Sequence, residues 1–231
     1  MRMNIALLRG ALLLGLLLPL TAAVTPSADD SAKSALERDP EGWLDLMPGK
    51  DLAGWKRVVL PPDTKLNEKN PWKVEDGLLL CDGVGVKEML LFEREFSDGV
   101  LHVEWRFRKA EGMPEYNGGV YVRSAADGKS WWQVQVAHVK MPPHVGDIFG
   151  DAVVNGEVER VVIRGKGESR ARPPGEWNTY EIVADGKKLS VWCNGATVCM
   201  WDACPAEKGH VGLQAEFAFI EFRNLKFKPK L

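Results

Sequence analysis

The chain has 231 residues, a formal charge of −2 at pH 7, and 45% hydrophobic against 27% charged residues. That describes a globular chain long enough for one large domain, and the near-neutral charge gives no basis for a nucleic-acid partner or an anionic membrane surface. Nine tryptophans against three tyrosines favour a carbohydrate ligand, because indole faces suit stacking on sugar rings.

The N-terminus has the order of a secretory signal peptide. Arg2 and Arg9 precede and flank the apolar run Ala11 to Leu20, and the small residues Thr21-Ala22-Ala23 follow, so cleavage is expected after Ala23. The run is short for a membrane span and no basic stop-transfer cluster follows it. No cysteine at the cleavage point marks a lipoprotein anchor. The mature chain is therefore expected in the periplasm or outside the cell, away from the membrane. Residues 24–40, rich in Ser, Ala and Asp, read as a flexible leader, and 41–231 as one domain.

From Gly42 the chain reads as strand after strand. Pro71 introduces Trp72–Glu75, which Asp76-Gly77 turns into Leu78–Leu80. After Asp82-Gly83 come Met89 to Phe96 and, past Asp98-Gly99, a long alternating strand over Leu101–Arg108. The stretch Glu115 to Val136 holds two alternating runs joined by a Gly-containing turn. Val120 and Val122 point one way and Tyr121 and Arg123 the other; Trp132, Val134 and Val136 oppose Gln133 and Gln135. Later strands are Val161–Ile163, Tyr180–Ala184, the Asn194-Gly195 hairpin, Val211–Glu216 and Ile220–Phe227. No stretch shows a sustained helical period. Regular strand spacing with Gly, Asp and Asn punctuation predicts an all-β sandwich in one domain, of a size that fits a jelly roll.

The residues pointing away from the core are His102, Glu104, Arg106 and Arg108; Tyr121 and Arg123; Gln133 and Gln135; Gln214 and Glu216; and Glu221 and Arg223. If their strands belong to one sheet, they form one polar face. Lys is absent from this set although frequent elsewhere, and Arg in its place suits planar, bidentate hydrogen bonding to a ligand. An ordinary salt-bridged surface is the plain alternative.

Four cysteines, Cys81, Cys193, Cys199 and Cys204, allow three full pairings. With a two-residue turn at Asn194-Gly195, Cys193 and Cys199 fall on opposite faces and are not expected to bridge. Buried free thiols remain the alternative.

The ordered segments GKDLAGW (49–55), WKVEDGLL (72–79), EWRF (104–107), NGGVYVR (117–123), WQVQV (132–136), GDIFG (146–150), GEWN (175–178), WCNG (192–195) and GLQAE…IEFRNLKF (212–227) resemble the 3-keto-disaccharide hydrolase domain family over about Gly42 to Phe227. The resemblance implies a concanavalin A-like jelly roll of two antiparallel sheets, and enzymes (3-keto-glycoside lyases and 3-keto-2-hydroxy-glucal hydratases) that cleave glycosides already oxidised at sugar carbon three. A ketone there acidifies the proton on carbon two. A base removes it, the enolate expels the glycosidic oxygen from carbon one, and water adds back to the double bond. Such a site needs a general base, a donor or cation for the enolate, and an acid for the leaving group.

On that expectation Glu216 and Glu104 are candidate base and acid, with His138 a further candidate base. Arg123 and Arg106 would stabilise the enolate or hold substrate, and Asn117, Tyr121, Gln133, Gln135 and Gln214 would hold hydroxyls. No cofactor is firmly implied. His138, His144 and Asp147 are weak candidates for a divalent metal, their spacing matching no standard signature, and a solvated lid loop over 138–150 is the alternative. Many relatives read Asn-Ser-Gly, Tyr-Glu-Val-Gln followed by aspartate, and Gln-x-His-Gly where this chain has Asn117-Gly118-Gly119, Trp132-Gln133-Val134-Gln135 and Gln214-Ala215-Glu216-Phe217. Two expectations follow: an exported enzyme on an oxidised glycoside with relocated acid–base groups, or a non-catalytic carbohydrate-binding module of the same fold.

Overall fold

The structure is a computed structural model that describes residues 32–60, 63, 65–139, 144–166 and 169–230. The expected signal peptide and residues 24–31 of the expected leader lie outside the described residues. Two antiparallel sheets face each other. Sheet A runs, in spatial order, β13 (Ala196–Trp201), β12 (Lys188–Cys193), β11 (Asn178–Asp185), β6 (Gly99–Phe107), β15 (Phe219–Pro229), β4 (Leu78–Asp82) and β3 (Trp72–Glu75), and β1 (Leu44–Asp45) pairs with β15. Sheet B runs β10 (Glu157–Ile163), β9 (Ile148–Val154), β8 (Trp131–His138), β7 (Tyr116–Ser124), β14 (Gly209–Glu216), β5 (Lys87–Phe96) and β2 (Trp55–Val59). The all-β jelly-roll sandwich expected from the sequence is the fold observed.

Turn chemistry explains the hairpins. Asp76-Gly77 and Asn194-Gly195 both have positive φ at each residue (51° and 75°; 43° and 100°), the twist that two-residue hairpins need. Asn155-Gly156 does the same (53° and 85°) and joins β9 to β10. The segment expected as a lid loop therefore becomes strand from Ile148, paired to β8.

The core lies between the sheets. Val103, Trp105 and Phe107 of β6, Val120 and Val122 of β7, Trp132, Val134 and Val136 of β8, and Leu213 and Ala215 of β14 all face it, as their alternation requires. Burying each large side chain contributes about 1.5–3 kcal/mol. Gly118 also faces inward: a Cβ there would lie 2.3 Å from Ile220 Cδ1, so the bare glycine lets the sheets approach. Tyr180 of β11 donates to the Gln135 carbonyl at 2.6 Å, tying the two sheets together.

Three expectations are corrected by the topology. First, β6 and β15 belong to sheet A, whereas β7, β8 and β14 belong to sheet B. The polar residues expected to share one face are divided between opposite sides of the sandwich. Second, the pairing of β12 with β13 carries a register shift between Val191 and Trp192: Cys193 faces Ala196, but Val191 faces Cys199. The bulge returns Cys199 to the inner side, and Cys193 and Cys199 are both buried in one core. All four cysteines are free thiols. Third, the end of the expected flexible leader is held in place. Ser34 caps a helical turn, α1 (Ala35–Arg38), with a reciprocal capping box to Glu37. The backbone N–H groups of Ala35 and Leu36 donate to the Glu181 carboxylate at 2.6 and 3.1 Å.

Candidate active site

The outer side of sheet B carries a cleft of about 460 Å³, whose walls include Asn117, Tyr121, Gln133, Gln135, Gln214 and Glu216. Alternation places them there: residues 117, 119 and 121 of β7, 133 and 135 of β8, and 214 and 216 of β14 all point outward. Register sets them side by side. Tyr121 sits opposite Gln133 and Gly212, Gly119 opposite Gln135, and Glu216 opposite Lys87 of β5.

Gly119 is bare for a reason. A Cβ at that position would lie 2.4 Å from Gln133 Cδ, so glycine is what lets the Gln133 side chain lie across β7. From there one relay of side-chain amides crosses the floor. Gln133 Nε2 donates to Gln135 Oε1 at 2.8 Å, Gln135 Nε2 to Asn117 Oδ1 at 2.6 Å, and Asn117 Nδ2 to Glu216 Oε2 at 2.9 Å. Gln214 Nε2 donates to the same oxygen at 2.7 Å. The relay runs towards Glu216, and Gln133 Nε2 also donates to the Gly118 carbonyl at 3.3 Å. What remains unpartnered is Gln133 Oε1, Gln214 Oε1 and the Tyr121 hydroxyl, all buried. Two spare acceptors and one hydroxyl are the complement of a polyhydroxylated ligand.

Glu216 is only partly exposed. Burial raises its carboxyl above the ordinary 4.5, and the Lys87 charge and the Asn117 hydrogen bond oppose that without cancelling it. A carboxylate with a raised pKa is the usual condition of a general base working near neutrality. Burial likewise pushes the Tyr121 phenol well above its ordinary range.

One end of the cleft is apolar. Leu60, Met89, Leu91, Tyr121 and Trp131 form a cluster separate from the sandwich core, with Val58 and Phe149 packed against it. Trp131 meets Tyr121 and Phe149 edge-on, with ring centroids 5.7 Å apart in each case. Arg160 lies over the Trp131 ring at 5.2 Å and pairs with Asp151.

The other expected site residues lie elsewhere. Glu104 and Arg106 are on sheet A. Glu104 accepts from Arg223 at 2.7 Å and Asn224 at 2.6 Å. Burial alone would raise its pKa, but hydrogen bonds from His102, Asn224 and Arg223 override it and hold the carboxyl at about 2. Arg106 pairs with Glu221 and lies over the Trp177 ring, 4.5 Å from its centroid. Arg123 departs from the alternation because its φ is 50°. Its guanidinium is buried, paired with Asp98 at 2.8 Å, and donates to the carbonyls of Gly186 and Ala206 at 2.6 and 2.8 Å. It clamps three loops at one end of the sandwich. His138 ends β8 opposite Tyr116, its ring 6.3 Å from the tyrosine ring, and is not among the walls of the cleft.

Asp147 is likewise committed to its loop. It accepts from Arg164 at 2.7 Å, from the Gly165 N–H at 2.8 Å and from the His144 N–H at 2.9 Å. Among the described residues no group of three or more His, Cys, Asp and Glu side chains could hold a metal.

Reading by alternation alone missed four charged groups that line the cleft: the carboxylates Glu115 and Asp151 and the cations Lys87 and Arg160, the last pairing with Asp151. Glu115, just before β7, stands two residues from the cleft-facing Asn117, the period-two signal by which it could have been found, and Lys87 is brought in by its pairing opposite Glu216. Glu88 was also missed, but its buried carboxylate is saturated by Arg57 at 2.6 and 2.7 Å and Trp72 at 3.1 Å.

The chain is a two-sheet β-sandwich with a polar cleft on the outer face of one sheet. Residues 42–228 match the model of the 3-keto-alpha-glucoside-1,2-lyase-like domain, and the chain belongs to that family. No curated protein matches it. Among solved structures it is similar to a protein named as a glycosyl hydrolase from Parabacteroides distasonis, at 20% identity and a TM-score of 0.56, covering 81% of this chain and 99% of that one. It is also similar to a carbohydrate-binding module from Bacillus subtilis (17% identity, TM-score 0.55, 74% and 93% covered) and a β-glucanase from Bacillus licheniformis (9%, 0.51, 78% and 94%). At these identities the likeness is one of fold.

Proposed function

We propose that the chain is an exported enzyme that cleaves 3-keto-glycosides by elimination across carbons one and two, followed by hydration. The observation that carries this reading is the Glu216 carboxylate, raised in pKa and fed by Asn117 and Gln214, at the end of an amide relay whose spare atoms suit sugar hydroxyls. Export rests on the signal pattern of residues 1–23.

In this reading the oxidised ring lies over Gly119. Glu216 takes the proton from carbon two, and the electron pair moves onto the ketone oxygen. The enolate then returns the pair, forming the carbon one–carbon two double bond as the glycosidic oxygen leaves. The Lys87 ammonium supplies positive charge beside Glu216, and Glu115 donates a proton to the departing oxygen. Water then adds its hydroxyl to carbon one, its remaining proton re-protonating Glu115, and Glu216 delivers a proton to carbon two. The base acts on an acidified carbon–hydrogen bond, so a pair of carboxylates flanking an oxocarbenium-like centre is not required.

The test is to incubate the domain with 3-keto-trehalose and with unoxidised trehalose and follow free sugar. Release from the ketone alone is expected. Binding without release would favour the carbohydrate-binding reading, and release from both would overturn the elimination.

A further inference from the structure

Immediately beyond Glu216 the chain makes a strained turn. Phe217 has a φ of 57°, a left-handed conformation that costs a bulky residue energy. The Ala218 N–H donates to the Glu216 carbonyl at 2.7 Å across it. In a regular strand Phe217 would alternate with Glu216 and point into the core, as Ala215 does. The turn instead holds the ring in solvent, 64% exposed. The neighbouring turn between β4 and β5 lies against this one, with the Gly83 N–H donating to the Ala218 carbonyl at 3.0 Å. It presents a second exposed apolar side chain, Val84, at 61%. Two adjoining turns thus offer apolar tips beside the Glu216 end of the cleft, while the opposite end is filled by the buried cluster around Leu60, Leu91 and Trp131.

We infer that Phe217, with Val84 beside it, forms the subsite for the leaving group, stacking on a sugar ring attached through the scissile bond. This rests on the elimination reading, because it takes Glu216 as the group beside that bond. The polar floor holds the oxidised ring, the far end is blocked by apolar side chains, and the departing ring meets the exposed aromatic side chain of Phe217 next to Glu216. Phe217 then favours a second sugar ring as leaving group over a small alkyl group. An apolar sugar face on an aromatic ring gains dispersion and desolvation that a methyl group cannot.

The experiment compares KM for 3-keto-trehalose and methyl 3-keto-glucoside in the parent, Phe217→Gly and Phe217→Trp. Glycine suits the positive φ, so loss of the ring carries no folding penalty at that turn. In Phe217→Gly, KM for the disaccharide is expected to rise about tenfold more than KM for the methyl glycoside, and Phe217→Trp should restore the difference. Equal changes for the two substrates, or none, overturn the subsite while leaving the elimination reading intact. A parent that releases neither leaving group overturns the elimination reading and the subsite with it.

Discussion

Asn117 on β7 and Glu216 at the end of β14 are joined by a hydrogen bond of 2.9 Å from the amide nitrogen to a carboxylate oxygen. Because this bond favours the ionised form, it restrains the rise in the Glu216 pKa that burial causes. Asn117→Ala should therefore raise that pKa further. The acid limb of kcat/KM, where activity is lost as Glu216 protonates, is expected to move to higher pH. An unmoved limb would show that Glu216 is not the titrating base.

Glu216→Gln removes basicity while keeping size and hydrogen bonding. Turnover of a 3-keto-glycoside should fall by roughly 10²–10⁴-fold with KM little changed, and the acid limb should disappear.

The same substitution has a stability consequence of definite sign. A carboxyl whose pKa is higher folded than unfolded binds more protons in the folded state, so stability falls as pH rises through the ordinary 4.5 and the folded value. Above that window the buried charge is a cost, which glutamine does not carry. Glu216→Gln is therefore expected to melt at or above the parent temperature at pH 7, and near it at pH 4. Lower stability at pH 7 would contradict the assigned shift.

Arg123 is predicted to be structural. Arg123→Lys keeps the charge but loses the fork that reaches Asp98, Gly186 and Ala206 together. Losing a charge-assisted hydrogen bond of this fork costs about 1.5–3 kcal/mol, the low end being apt where Asp98 is one-third exposed. Thermal unfolding should shift by several degrees, with KM for the keto-sugar unchanged in the folded fraction.

Gly119→Ala tests the floor of the cleft. The added methyl meets the flexible Gln133 side chain, not backbone, so the fold should survive while the first amide of the relay is displaced. A rise in KM of about tenfold, with little change in melting temperature, is expected from losing one buried hydrogen bond to substrate. An unchanged KM would remove Gln133 from the site.

The glutamines of the cleft were legible because their strands are regular. Alternation alone puts Gln133, Gln135 and Gln214 opposite the core residues Val134, Val136 and Leu213. Sheet membership was not legible, since a period of two says which side of a strand is dry but not which sheet it joins. Glu104 and Arg106 were grouped with Glu216 for that reason. Local backbone departures hid the rest. Arg123 leaves its expected face through a left-handed φ, and Cys199 returns to the core through a bulge. The hairpin of β9 and β10 carried a readable signal in Asn155-Gly156, but with 138–150 taken as a loop only Val161–Ile163 was read as strand.

The central claim is that a proton leaves and returns at carbon two. The direct measurement is cleavage of 3-keto-trehalose in deuterium oxide, with the released 3-keto-glucose examined by mass spectrometry and proton NMR. Elimination and hydration through Glu216 predict one solvent deuterium at carbon two in the product of the parent and almost none formed by Glu216→Gln. Hydrogen retained at carbon two, together with an unchanged rate for substrate deuterated at that carbon, would contradict the account, because the glycosidic bond would then have broken without that proton moving.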